Sequence, residues 1–283
     1  MVPLRIGVWF DVSHCAYGGP TAVLLNTILG FAMSEDVVIL LNEPGDVNWD
    51  VCVTPSIETR GISFVRGPVA PVGDASKGHI LVATEWVRQF LKHTKKTEAE
   101  RVSLWPAGVD TVYYSPKQQP QQQNPQKTQD FFIYYKSQKH ADLHTIHSML
   151  FKKFFHLRGH VLAYYCYTPE MLRSAARSSR FCIVLNNTET QGLAMLEIMA
   201  CDCPLFVVDC TAYRGETCLM EGASSAPCWS PVCGKKSRWD SVEADFAAFL
   251  TELPTYRPRS FVESGYSLPV AASTLRSLLS GNG

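Results

Sequence analysis

The sequence predicts an α/β protein built from two Rossmann-like domains, each a doubly wound parallel sheet. Three observations carry this expectation. Short runs of β-forming residues alternate with helical patterns along the whole chain. The runs are apolar on both faces, as strands covered by helices on both sides must be. A single Gln/Pro-rich stretch interrupts the alternation, after which it starts again. At 283 residues the chain has room for two cores of modest size.

The elements follow in order. LRIGVWF (4–10) reads as the first strand; its apolar run is short, ends in Asp11, and has neither a charged leader nor a small-residue cleavage site, unlike a signal peptide. A helical stretch follows the GGP sequence (20–33). VVILL (37–41), DVCVT (50–54), HILVAT (79–84) and VSLW (102–105) read as further strands, with a helix from EWVRQFLKH (85–93). PKQQPQQQNPQKTQ (116–129) cannot build a core and reads as extended or flexible chain. Beyond it come DFFIYY (130–135), a helix near 139–151, GHVLAYY (159–165), the helix PEMLRSAARS (169–178), FCIVLNN (181–187), a helix near 191–201 and PLFVVD (204–209). The tail adds amphipathic helices whose simplest role is packing. The expected organisation is an N-terminal domain over 1–115, a linker over 116–129, a C-terminal domain over 130–260, and a closing segment over 261–283 that packs back on the first domain. Ligands of such sheets bind at the carboxyl ends of the strands, which points to the cleft between the halves.

Composition narrows the partners. Lys and Arg together number 26, as do Asp and Glu, so the net charge is zero and nothing draws the chain in bulk to nucleic acid or to an anionic membrane; any anion it binds must be met locally. No segment approaches eighteen uninterrupted apolar residues, so no transmembrane helix is expected. Ten cysteines, at 15, 52, 166, 182, 201, 203, 210, 218, 228 and 233, form no Cys-x-x-Cys pair. They read as reduced, buried small residues of a cytoplasmic protein rather than a disulfide framework or zinc site. His140, His144 and His147 share helical spacing but lack a carboxylate in a zinc-binding pattern, and read as a solvated or cleft-edge helix face. Trp86 and Trp105, in apolar runs, read as core.

Chemistry concentrates in FCIVLNNTETQGLAMLE (181–197), a strand, a polar turn and a helix. A helix starting near Thr190 to Gly192 turns its unpaired amides and positive dipole end toward the strand's carboxyl edge, where an anion can sit. Gly192 allows close approach to the backbone. On an ideal helix the eight positions from Glu189 to Glu197 rise about 12 Å and return about 80° from the start. Both acids can then edge one cleft, at a span that suits a sugar nucleotide with hydroxyl-bearing rings on either side of a diphosphate. Read alone, the same residues equally fit a first-turn acid at 189 and a surface residue at 197.

ETQGLAMLEIMACDCP resembles the Glu-x(7)-Glu motif of the retaining glycosyltransferases of family 4, usually E-G-F-G-L-x-x-L-E-A-M-A-C-G-x-P. Glu189, Gly192, Leu193, Leu196, Glu197, Met199, Ala200, Cys201 and Pro204 fall in register. AYGGPTAVLLN resembles that family's glycine-rich loop, ATEWVRQFL its S-E-W-V-R-D-F-L segment, and WPAGVDTVYYSP its N-G-V-D-x-x-x-F-x-P signature, all in the family's order. The resemblance implies the GT-B architecture, with two facing Rossmann-like domains. It also implies transfer of a sugar from a nucleoside-diphosphate sugar to a hydroxyl of a glycan or other acceptor, with retention. The nucleotide sugar is a substrate, and no cofactor is implied.

By the same resemblance Glu197 holds the ribose hydroxyls, Glu189 contacts the donor sugar, and the amides of Thr190, Gln191, Gly192 and Leu193 bind sugar and diphosphate oxygens. Gly18 and Gly19 let the first domain's loop close over the diphosphate. Lys136 and Lys139 stand where the family has an Arg and a Lys that neutralise the leaving diphosphate, at shorter spacing and without Arg's bidentate fork. Cys166 and Tyr167 fall near the nucleobase. Glu189 and Lys136 are thus the catalytic candidates. Thr190 and Gln191 replace the usual Gly and Phe. The family's first-domain histidine has no counterpart between 55 and 75, leaving His14 and Arg60 as candidates. No Asp-x-Asp pair occurs in the sequence, so metal-independent transfer is expected. The alternatives are another GT-B enzyme such as a nucleotide-sugar epimerase, and a non-catalytic sugar-nucleotide-binding protein.

Overall fold

The structure, a computed structural model, describes residues 4–8, 19–33, 37–41, 51–54, 62–64, 79–95, 102–116, 127–137, 139–164, 166–215 and 218–279. The chain divides into two compact units, Met1–Gly108 with Gly265–Gly283, and Val109–Ser264. In the first, Leu4–Val8 (β1), Val37–Leu41 (β2), Val51–Thr54 (β3), Ile62–Phe64 (β4), His79–Val82 (β5) and Val102–Leu104 (β6) form a parallel sheet of order β2-β1-β3-β4-β5-β6. Helix Gly19–Ala32 (α1) follows β1, and Glu85–Lys95 (α2) follows β5. The α2 sequence puts Trp86, Val87, Phe90 and Leu91 on one side, where they are buried, and leaves Lys92 in solvent. Arg88 pairs with Glu85 one turn back at 2.8 Å.

The second unit has the strands Gln129–Tyr135 (β7), Gly159–Ala163 (β8), Ser179–Leu185 (β9) and Leu205–Val208 (β10). After the small hairpin of Ala212–Arg214 (β11) and Leu219–Glu221 (β12) comes Gly234–Ser237 (β13). The main sheet is parallel, of order β13-β10-β9-β7-β8. Its helices are His140–Lys153 (α3), Pro169–Ser178 (α4), Leu193–Ala200 (α5), Val242–Glu252 (α6) and Pro258–Gly265 (α7). Thr168 caps α4 by accepting from the Met171 amide at 3.3 Å, and Pro169 opens its first turn. One face of the sheet packs on an aromatic core in which Phe206 meets Phe246 at 5.0 Å and Phe181 meets Phe249 at 5.4 Å.

Strand β13 is illegible in the sequence because GKKS carries no apolar residue. Gly234 makes it possible: its φ is +144°, and a Cβ there would run into the Leu205 carbonyl of β10. The last helix, Leu268–Leu279 (α8), belongs to the first unit. Gly30 of α1 and Gly108 admit it closely; a Cβ on Gly108 would lie 2.9 Å from the Leu268 Cα. Trp105 Nε1 donates to the Ala271 carbonyl at 2.8 Å, so Trp105 and the buried Trp86 are core residues, as expected. Among the described residues, cysteines 166, 182, 201, 203, 210, 218, 228 and 233 are unbridged, and Cys182, Cys201, Cys203, Cys228 and Cys233 are buried.

Candidate active site

The strands of the second unit end in register, with Ala163, Tyr135, Leu185, Val208 and Ser237 side by side across the sheet. The residues that follow four of them, Tyr164, Lys136, Asn186 and Asp209, therefore line its carboxyl edge. The winding reverses between β7 and β9. A crevice opens at such a point because the flanking connections leave on opposite faces.

Lys136 and Glu189 meet there. Lys136 Nζ lies 2.5 Å from Glu189 Oε1, which also accepts from Asn186 Nδ2 at 2.7 Å. The same ammonium stands 4.4 Å from the centre of the Tyr164 ring. The side chains are 27% and 12% exposed, buried enough for low screening and open enough for a ligand to reach. An ammonium has three donors, and Glu189 takes one of them.

Helix α5 begins at Leu193, with Gly192 as its N-cap at φ +79°. Met195 and Leu196 both donate to the Gly192 carbonyl, at 3.0 and 3.2 Å, so the amides of Leu193 and Ala194 precede the first intrahelical bonds. Glu189 sits ahead of the helix, in the turn. The ideal-helix span of about 12 Å between the two acids therefore does not apply, because the turn from Asn186 to Gly192 is not helical. Glu189 is likewise not a first-turn acid of α5.

Glu197 lies mid-helix and is only 4% exposed, which rules out the surface-residue alternative. All of Met195 to Ala200 is buried, because α5 is enclosed on every side. Burial pushes the Glu197 carboxyl from the ordinary 4.5 up to about 7, with the Tyr114 hydroxyl acting in the opposite direction. The two acids thus have opposite environments, one charge-paired and one desolvated.

The other expected residues divide. Thr190 is half-buried and Gln191 buried, both in the turn beside Glu189. The Tyr167 hydroxyl lies 3.4 Å from that of Tyr134, whose phenol is pushed far up by burial and by Tyr167 itself. Cys166 is exposed in the loop after β8. Lys139 is exposed as the N-cap residue of α3. Gly19 opens α1; Gly18, His14 and Arg60 lie outside the described residues. His140, His144 and His147 are exposed on α3, and no group of three metal-ligating side chains occurs among the described residues.

Sequence reasoning missed a second polar network that fixes the first. Asp209 Oδ1 accepts from Ser224 Oγ at 2.8 Å and from the Ser225 amide at 2.7 Å, and its Oδ2 lies 3.1 Å from Lys236 Nζ. Lys236 also donates to Ser224 Oγ at 2.6 Å. The turn so held in place reaches back to the crevice: the Ser224 carbonyl accepts from the Glu189 amide at 2.9 Å, and Ser225 Oγ donates to the Asn186 carbonyl at 3.0 Å. The signal for Asp209 was present, a polar residue ending an apolar strand. Lys236 had none, because β13 was not legible.

No family model and no curated protein matches the sequence. Solved structures do match the fold. A glycosyltransferase from Rickettsia africae aligns over 99% of this chain and 98% of its own, with a TM-score of 0.66 at 10% identity. Sucrose-phosphate synthase from Thermosynechococcus elongatus aligns over 98% of each chain at a TM-score of 0.60 and 11% identity. HepE of Anabaena, solved with UDP and glucose, aligns over 98% of this chain and 99% of its own at 0.58 and 8%. The chain has the α/β GT-B fold of these proteins.

Proposed function

We propose that the protein is a glycosyltransferase that moves a sugar from a nucleoside-diphosphate sugar to a hydroxyl of a glycan or other acceptor, in the cytoplasm, with retention and without a metal. The observation that carries this reading is the Lys136–Glu189 pair at the winding reversal, beside the first-turn amides of α5. The fold shared with glycosyltransferases supports it, as does the in-register match to the Glu-x(7)-Glu motif.

Cleaving a sugar from a nucleoside diphosphate builds negative charge on the leaving phosphate and positive charge on the sugar ring. In this reading Lys136 keeps one donor on Glu189 and turns the others to the diphosphate, while the amides of Leu193 and Ala194 share the charge. A preorganised donor of this kind is worth about 3 kcal/mol of transition-state stabilisation. Glu189, already oriented by Lys136 and Asn186, takes the sugar hydroxyls. Glu197 takes the ribose hydroxyls, whose donated hydrogen bonds favour its ionised form.

The test is a thermal-shift series with nucleoside diphosphates and their sugars, followed by product analysis with an acceptor panel. A bound donor at a hundred times its dissociation constant stabilises by about 2.7 kcal/mol. Transfer that survives EDTA and yields the donor's anomeric configuration supports the full reading. Conversion of the donor without an acceptor marks an epimerase; binding with no turnover marks a binding protein.

A further inference from the structure

We propose that the end of α3 and the turn after it form a membrane-binding surface that rests on anionic lipid. The three phenylalanines there behave differently. Phe154 turns inward and meets Phe246 edge-on at 4.9 Å. Phe151 and Phe155 are 82% and 78% exposed, four residues apart. Scattered surface hydrophobes need no explanation, but these two are embedded in positive charge. Lys152, Lys153, His156 and Arg158 are all exposed, and no acidic residue occurs from Leu143 to Arg158. The acids that reach this region are neutralised: Glu243 pairs with Lys153 at 3.6 Å, and Asp130 pairs with Arg180 at 3.0 Å while accepting from the Arg158 amide at 3.0 Å. Lys152 and Arg158 add charge beyond those pairs.

This combination selects an anionic bilayer. Aromatic rings enter the boundary between headgroups and acyl chains, while the flanking cations meet lipid phosphates and carboxylates. Rings four-fifths exposed protrude from the surface, whereas rings that stack nucleic-acid bases line a groove. The patch also leaves the crevice clear. Asp130 and Phe131 donate to the Arg158 carbonyl at 2.9 and 3.2 Å, which sets the turn at the amino edge of the sheet, opposite Lys136 and Glu189. The proposal stands whether or not the protein transfers sugars.

The test is co-sedimentation of the full chain with vesicles of phosphatidylcholine alone or with about a third phosphatidylserine. Binding to the anionic vesicles only, weakened by added salt, is expected. F151S/F155S should abolish it with melting unchanged, and K152E/R158E should weaken it by about tenfold or more. Equal or absent binding to the two vesicle types overturns the proposal, as does wild-type-like binding by the phenylalanine variant. A chain that is dimeric in solution and becomes monomeric in F151S/F155S overturns it too, assigning the face to a second copy.

Discussion

Replacing Glu197 by Gln tests the buried carboxyl directly, because it removes the ionisation and keeps the shape. The group is enclosed in α5 and its carboxyl is moved from 4.5 to about 7 in the folded chain. A raised folded value means that the folded state binds the proton more tightly than the unfolded one. Stability from this group is therefore complete below pH 4.5, falls as pH rises, and is fully lost above pH 7. At 1.36 kcal/mol for each tenfold change in proton affinity, the loss totals about 3 kcal/mol. About 2 kcal/mol of it develops between pH 5.5 and 8.5. Glu197→Gln escapes that loss, so the variant should gain on the wild type as pH rises. In a unit of this size the gain is about 4 to 8 °C in melting midpoint across the range. Thermal unfolding of both chains at closely spaced pH values is the assay. Parallel curves, or a variant that loses ground at high pH, would refute the reasoning. The same group bears on binding: if ribose hydroxyls meet this carboxylate, wild-type affinity for a nucleoside diphosphate rises through pH 7 and that of Glu197→Gln stays flat.

Lys136→Met should cut transfer by about a hundredfold to a thousandfold and weaken nucleoside-diphosphate binding, since the anion loses its cation and Glu189 its partner; calorimetry and steady-state rates check both. Asp209→Asn should release the 224–225 turn, lowering kcat by up to about a hundredfold while diphosphate affinity holds. Faster hydrogen exchange at the Glu189 amide would confirm the route, and unchanged exchange would argue against it. Gly234→Ala should fail to form a stable second unit, because a side chain there meets the β10 backbone; soluble, cooperatively melting protein would contradict the β10–β13 pairing.

Much of the fold was legible because the strands of a doubly wound sheet are buried on both faces and must be written as apolar runs. VVILL, FCIVL and LFVV can be little else. The elements that escaped obey other rules. Strand β4 is three residues long, and β13 is polar, so neither is distinguishable from loop by periodicity. Both join the sheet because a neighbour's backbone offers a ladder, which is a property of the fold and not of the segment.

The site was half legible for a related reason. Chain-local features, the helix start at Gly192 and the acids beside it, are written in consecutive residues. What orients them is not. Lys136 comes from the end of β7, Asp209 from β10 and Lys236 from β13, and parallel register alone brings them to one edge. The two acids of the motif show how far environment then divides identical side chains. Glu189 sits in a turn with the Lys136 ammonium and the Asn186 side-chain amide on one oxygen. Glu197, sealed in a helix of Leu, Ile, Met and Ala, is pushed toward the neutral form by burial, which the Tyr114 hydroxyl opposes only in part. A hydroxyl pair donating to Glu197 would favour its ionised form. Proton release on nucleotide binding near pH 7 should therefore come from position 197 and persist in Glu189→Gln.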